Sequence, residues 1–276
     1  DTTGTWAVGN TLSYYDTDGT TVLAQGVIES IDGDFYNIDT RVLGFEQIQD
    51  RTGKTISVNG NAKLATAVKK FGTASLALDG TGDYATVPVT TDFEFGVSDF
   101  TIECWIYKNN HLVDGNGIFG IGTQDPDSSL VRILTGVLQF WLGGSNSGGP
   151  GTGTKTGIIS CATAISSYRW YHVALVRSGS SANNVKLYLN GVLDGQGTGT
   201  YQVPTGYFVI GRDYPTLAAE YFPGYISNLR VVNGTAVYTA NFTPSTTPLT
   251  AIANTSLLTC QSNRFVDNSS NSFAIT

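Results

Sequence analysis

The 276-residue chain contains no methionine. Residue 1 is therefore not read as the start of an open reading frame, and the expected reading is a processed or trimmed piece of a longer chain. Charge is scarce as well: Asp, Glu, Lys and Arg make up 13% of the residues, about half the ~25% usual for globular domains. What charge there is leans acidic, with 22 carboxylates against 15 cations, a net of −7 and a pI near 4.7. No cluster of Lys or Arg interrupts that balance. Nucleic acid and anionic membrane surfaces both need such clusters, so neither is expected as a partner. Membrane insertion is not expected either, because no run approaches the ~18–20 apolar residues of a spanning helix. The opening DTTGTWAVGN also lacks the basic and apolar regions of a signal peptide. Cys104, Cys161 and Cys260 are too few for a disulfide scaffold at this length. Cys104 alternates with Phe100, Ile102 and Ile106, which suits a small, reduced, buried thiol. Two His and three Cys without C-x-x-C spacing give no basis for a zinc-type cluster.

Helix signals are nearly missing too, while β-branched and aromatic runs recur every 8–12 residues with Gly, Asn, Asp or Pro between them. The expected class is all-β. Residues 100–107 and 170–177 alternate in period two, which puts one face on a core and the other on solvent or ligand. Asn190-Gly191 between Leu189 and Val192 predicts a type I′ hairpin. Further strands are expected over 73–78, 84–89, 129–134, 136–142, 156–163, 207–211 and 223–232. More than ten strands in about 230 residues are best closed into two packed antiparallel sheets, a jelly-roll sandwich without long free edges. Residues 1–41 read as a separate small β-module or linker with Asp-Gly turns, and 42–276 as the sandwich. Val42-Leu43 followed by Asp50–Ile56 is echoed by Leu257-Leu258 followed by Asp267–Phe273. Either these are two edge strands of similar composition, or the last residues mimic the opening strand of a following copy.

Five blocks carry a resemblance: Lys70–Tyr84, Asp99-Phe-Thr-Ile-Glu-Cys-Trp105, Trp170-Tyr-His-Val-Ala-Leu-Val-Arg177, Leu187-Tyr-Leu-Asn-Gly191 and Gly224–Tyr238. In this order the chain from about Asp50 onward resembles the laminin-G-like, concanavalin A-like sandwich domains found in tail and fibre proteins of marine bacteriophages and in some bacterial surface proteins. The stretches Asn241-Phe-Thr-Pro244 and Leu257–Ser270 look like the viral branch. The resemblance implies a virion protein, a tail fibre, spike or capsid fibre, whose lectin-like domain attaches to host-surface glycan. Its partners would be other virion or surface-assembly subunits, itself as a homo-oligomer, and host polysaccharide. A secreted or cell-surface bacterial adhesin or matrix protein with repeated domains is the alternative.

Sandwiches of this kind also serve as glycosidases, which set two carboxylates about the sugar bond, typically as Glu-x-Asp-x-Glu on one strand. No such cluster occurs. Of Glu29, Glu46, Glu94, Glu103 and Glu220, only Glu103 falls on a strong central strand, and it has no acidic neighbour at i+2 or i+4. It is expected to pair with a cation on the exposed face, and His172 to be a hydrogen-bonded structural histidine. No enzyme activity is expected. Laminin-G-like domains often carry one calcium at the sandwich rim, and two oxygen-rich loops offer hard ligands: Asp79 with Asp83, and Asp125 with Asp127. Ordinary Asx turns explain the same residues. A sugar needs an aromatic platform for its C–H face and polar groups for its hydroxyls. Two loops offer both: Trp141 with Asn146, and Arg212, Asp213 and Tyr214 with Tyr221 just beyond. Of the two, the second loop is preferred, with packing of the loop or of a subunit contact by Tyr214 and Phe222 as the alternative.

Overall fold

The computed structural model describes residues 11–15, 22–27, 55–109, 115–122, 128–142, 156–199, 206–213, 220–261 and 274–275. The chain divides into two units, Asp1–Ile48 and Gln49–Thr276. In the first, β1 (Thr11–Tyr15) and β2 (Val22–Val27) form an antiparallel pair. The second holds β3 (Thr55–Asn59), β4 (Lys63–Ala65), β5 (Ser75–Asp79), β6 (Tyr84–Val87), β7 (Phe100–Lys108), β8 (Asn116–Gly122), β9 (Ser128–Leu134), β10 (Val137–Leu142) and β11 (Thr156–Ala164). It continues with β12 (Trp170–Arg177), β13 (Val185–Leu189), β14 (Val192–Gly197), β15 (Tyr207–Ile210), β16 (Pro223–Asn233), β17 (Thr255–Thr259) and β18 (Ala274–Ile275).

Two eight-stranded layers result. One runs β11-β10-β9-β8-β15-β6-β3-β18. The other runs β14-β13-β12-β7-β16-β5-β4, with β17 added on β16. Among the described residues every strand pairing is antiparallel except β18 on β3. This is the jelly-roll sandwich that the alternation predicts, and the expected strands at 84–89, 129–134, 136–142, 156–163, 207–211 and 223–232 each appear within a few residues. Asn190 and Gly191 sit at φ 51° and 80°, the positive pair that a type I′ turn requires. Between the layers, Phe100, Ile102, Cys104 and Ile106 of β7 face Phe140, Val131 and Phe208 of the other sheet, and Phe93 stacks on Phe208 at 5.3 Å.

Two features depart from the simple alternation. Asn228 takes φ 53° and the β16–β7 register shifts between Ser227 and Arg230. A bulge places an extra residue on one strand and so inverts the phase beyond it. Tyr225 and Ser227 therefore do not share a face with Leu229 and Val231, as strict alternation would have it; Ile226, Leu229 and Val231 together enter the core. Asn228 itself is held by its side chain, which accepts from the Leu249 and Gln261 N–H groups at 3.0 and 2.8 Å.

The second departure is that the outer face of β7 and β12 is covered at Thr101, Glu103, His172, Ala174 and Val176, while Tyr107 and Trp170 at its end stay half-buried. Chain from 234 to 249 folds back over it. Phe242 stacks flat on Tyr238 at 3.6 Å and meets Tyr188 and His172 edge-on. Thr101 Oγ1 accepts from Val237 N and donates to Thr235 O. The strap adds a small second core of Ala174, Val176 and Tyr188 under Leu193, Ala236, Tyr238 and Phe242.

All three cysteines are free and buried. Burial pushes the Cys104 thiol well up, with the Cys260 thiol and the Glu103 carboxylate adding to it, and lifts Cys260 to about 12. A neutral, enclosed thiol is inert. Titration with a thiol reagent should therefore find no reactive cysteine in the native protein and three in denaturant; reaction of any one before unfolding would show that its enclosure opens locally.

Candidate functional site

The most buried charge in the described chain lies under the strap. Glu103 has no solvent exposure, and β7 and β16 pair it directly with Arg230. Arg230 donates from Nε and Nη2 to Glu103 Oε1 at 2.9 and 2.5 Å, and from Nη1 to Thr250 O at 2.9 Å. The second oxygen, Oε2, faces His172 Nε2 at 3.0 Å and accepts from the Tyr238 hydroxyl at 2.9 Å. Burial alone would raise the Glu103 pKa, but the His172 hydrogen bond and the Arg230 charge outweigh it and hold the carboxyl below its ordinary value. Burial and the adjacent carboxylate push the Tyr238 phenol up. Glu103 thus finds the expected cation, but beneath the strap and not on an exposed face. His172 is the hydrogen-bonded histidine that its mid-strand place predicts. With both oxygens occupied, the group is a cross-link between β7, β12, β16 and the strap.

The other layer carries a different surface. Leu138, Phe140 and Leu142 of β10 point into the core, so Gln139 and Trp141 point out, and Arg132 lies opposite Gln139 on β9. Trp141 Nε1 donates to Gln139 Oε1 at 3.0 Å, and the Arg132 guanidinium lies 4.9 Å from the indole centroid. Arg132 Nη1 in turn donates to both oxygens of Glu220, at 2.6 and 2.8 Å. Beside Glu220 is Tyr221, whose ring is 6.2 Å from that of Tyr84 on β6. The Arg212 guanidinium lies over both tyrosines, at 4.5 and 5.1 Å. An unbroken run of contacts, Trp141–Arg132–Glu220–Tyr221–Arg212–Tyr84, therefore crosses the outer face of the sheet.

The backbone at Gly211–Asp213 and at Glu220–Phe222, which places Arg212 and Tyr221, lies against β8. Arg212 and Tyr221 form a bridge, Gly211 N donates to Ile118 O, and Gly117 N to Glu220 O. Arg212 and Asp213 can lie this close because β8 presents Gly117 and Gly120 beneath them. A Cβ on either glycine would fall 2.3 Å from Asp213 N or 1.8 Å from Asp213 O. Arg212 and Asp213 are 4% and 5% exposed. Arg212 thus serves as the filling between two aromatic faces, and Trp141, Arg132, Glu220, Tyr221 and Tyr84, all half-buried, are the members that reach the surface. Asn146 and Tyr214 lie outside the described residues, as do Asp125 and Asp127. The structure brings Trp141 and Arg212 with Tyr221, treated as separate candidates in the sequence, onto one face. Sequence reasoning missed Arg132, Glu220 and Tyr84 as members. The signal available was their outward parity on β9 and β6 and the adjacency of Glu220 to Tyr221.

Asp79 and Asp83 share the turn between β5 and β6. Asp83 is buried, and its carboxylate accepts from Asn61 N at 2.5 Å and Asp79 N at 2.9 Å. Asp79 Oδ1 accepts from Thr81 N at 2.7 Å, an Asx turn. Gly80 and Gly82 supply the positive φ of that turn, 87° and 81°. Among the described residues no group of three or more His, Cys, Asp or Glu gathers as a metal cage would.

Among curated protein sequences none matches the chain. Solved structures with a similar shape include domain 4 of an extracellular arabinanase from Geobacillus stearothermophilus, in complex with arabinotriose. It is 22% identical with a TM-score of 0.49, over 67% of this chain and 84% of that one. The botulinum neurotoxin serotype G binding domain is 12% identical, also at 0.49, over 67% of this chain and 44% of that one. Mouse laminin alpha1 domains LG4-5 are 17% identical at 0.40, over 62% of this chain and 46% of that one. The chain thus spans less than half of the neurotoxin and laminin chains. The sequence profile of the Concanavalin A-like lectin/glucanases superfamily matches residues 79–251, from the end of β5 past the strap. With well over half its length matched and two antiparallel layers packed face to face, the chain belongs to the concanavalin A-like lectin/glucanase superfamily.

Proposed function

We propose that the chain is a non-enzymatic appendage subunit of a virion, in a tail fibre, spike or capsid fibre, whose lectin-like sandwich attaches to host-surface glycan. The observation that carries the glycan reading is the run from Trp141 to Tyr84 on the outer sheet face. It pairs aromatic rings, which suit the C–H faces of sugars, with an arginine–carboxylate pair, which suits hydroxyls. The non-enzymatic reading is supported by what happens to the two best-placed glutamates. Glu103 is locked inside a four-way cross-link, and Glu220 is tied to Arg132, so neither is left to protonate a leaving group. The virion reading rests on the viral-type stretches Asn241–Pro244 and Leu257–Ser270, and a homo-oligomer within such an appendage is part of it.

An array of bacterial surface polysaccharides tests the glycan reading. The expected result is saturable binding to at least one, at least tenfold weaker in Trp141→Ala, with the unfolding temperature unchanged. Incubation with the bound polysaccharide should leave its chain length intact; shortened products would overturn the non-enzymatic reading. Antibody labelling of native particles in electron micrographs should decorate an appendage.

A further inference from the structure

We propose that an open groove at the seam between the two sheets is a second site, which takes a carboxylate-bearing sugar, a hexuronic acid, with Arg169 as the group that holds the carboxylate. The groove lies where the edge strands β11 and β14 approach one another, beside the start of β12 and the β13–β14 turn. Its volume is about 370 Å³, at the small end of the ~300–1,000 Å³ of ligand sites.

Four observations define its chemistry. First, the Arg169 guanidinium lies 4.8 Å from the Tyr171 ring centroid, and among the described residues no carboxylate or carbonyl hydrogen-bonds to it. A planar fork of donors is thus held flat and left unused, which is the geometry that takes a carboxylate by two parallel bonds. Second, the platform beneath it is fixed: Tyr171 is buried, and its hydroxyl accepts from Ser166 N at 3.0 Å. Third, Asp194 of β14 accepts from Thr163 N at 3.2 Å and from Thr163 Oγ1 at 2.7 Å on β11. That cross-link sets the carboxylate in place while each oxygen keeps a lone pair for a sugar hydroxyl. Asn190 is fixed likewise, its Oδ1 accepting from His172 N at 2.9 Å, which leaves its NH₂ as a donor. Fourth, Val192, 55% exposed, gives the groove an apolar patch for a C–H face.

Charge then chooses among acids. Arg169 is the single cation among the groove's residues, and Asp194 shares the groove with it. A dianionic phosphate would meet one cation and one like charge, whereas a monoanionic sugar carboxylate can sit at Arg169 and turn its hydroxyls to Asp194. This site stands on its own geometry and is independent of the sheet face.

Titration calorimetry with the dimers of glucuronic, galacturonic and mannuronic acid, each beside its methyl diester, tests it. At least one acid dimer should bind saturably by millimolar concentration, and its neutral ester at least tenfold more weakly. Arg169→Gln should weaken the acid at least tenfold and leave the ester unchanged, Arg169→Lys should recover part, and Trp141→Ala should have no effect. Arg169 is exposed, so these variants should keep the wild-type unfolding temperature. Failure of all three acids to saturate, or equal binding of acid and ester, would overturn the proposal. So would an inert Arg169→Gln, or loss of binding in Trp141→Ala, which would place the acid on the sheet face.

Discussion

Glu103→Ala should cost roughly 3–5 kcal/mol, the penalty for removing one partner of a buried ion pair and leaving the other charge without compensation. Against a typical total of ~5–15 kcal/mol, that takes a large share of the stability. The size follows from the local wiring. Arg230 is 5% exposed and sends two N–H groups to one Glu103 oxygen, while His172 and Tyr238 converge on the other. Removing the carboxylate orphans three polar groups at once, where a surface pair would return to water. Glu103→Gln should cost less, because the amide keeps the shape and one acceptor. Urea unfolding followed by tryptophan fluorescence separates the two, and a cost below about 1 kcal/mol for alanine would mean that the strap lets water in. Acid should act through the same group. Its folded pKa lies below its unfolded one, so its contribution is complete above the ordinary carboxylate value of about 4.3 and is lost as pH falls through the lower folded value. Stability in Glu103→Gln should therefore fall less steeply below pH ~4 than in the wild type.

Gly120→Ala should strip the sheet face of its binding function while leaving the interlayer core in place. The added Cβ would come within 1.8 Å of the Asp213 carbonyl oxygen, a backbone atom with no rotamer to move to. The backbone at Arg212 and Asp213 must lift, which withdraws Arg212 from between Tyr84 and Tyr221 and strains its bridge to Tyr221. Overpacking of this kind costs ~1–3 kcal/mol. The larger effect is on polysaccharide binding, expected to drop at least tenfold in calorimetry, as in Trp141→Ala but through a residue that touches no sugar. Wild-type affinity in Gly120→Ala would show that the placement of Arg212 and Asp213 plays no part.

The strands were legible because the apolar side chains that enter the interlayer core recur in period two, as Phe100, Ile102, Cys104 and Ile106 do. Asn190-Gly191 was legible because only a positive-φ pair fits its hairpin. What could not be read was set by long-range partners. The Asn228 bulge depends on Leu249 and Gln261, 21 and 33 residues on, which supply the N–H groups that hold it. The outer side of β7 looked solvent-facing because its cover, the strap, follows 135 residues later and is built from polar and aromatic residues without alternation. Arg132 and Glu220 pair across 88 residues, so neither local charge pattern announced the other. Trp141 and Tyr221 were recognisable as aromatic loop residues; that they share a face with Arg212 followed only from the strand order.

The place of β16 bears on how the polypeptide reaches this form. It lies between β7 and β5, although it is made more than a hundred residues after them, and the segment that seals Glu103 comes later still. A chain emerging from the ribosome cannot complete that layer until β17 ends at residue 259, nor fill the gap between β5 and β7 until residue 233 is available. Until then β5 and β7 each keep a bare edge, which leaves nascent copies open to pairing with one another. The fold is thus assembled late and nearly all at once, and its dependence on distant contacts places it among slow folders.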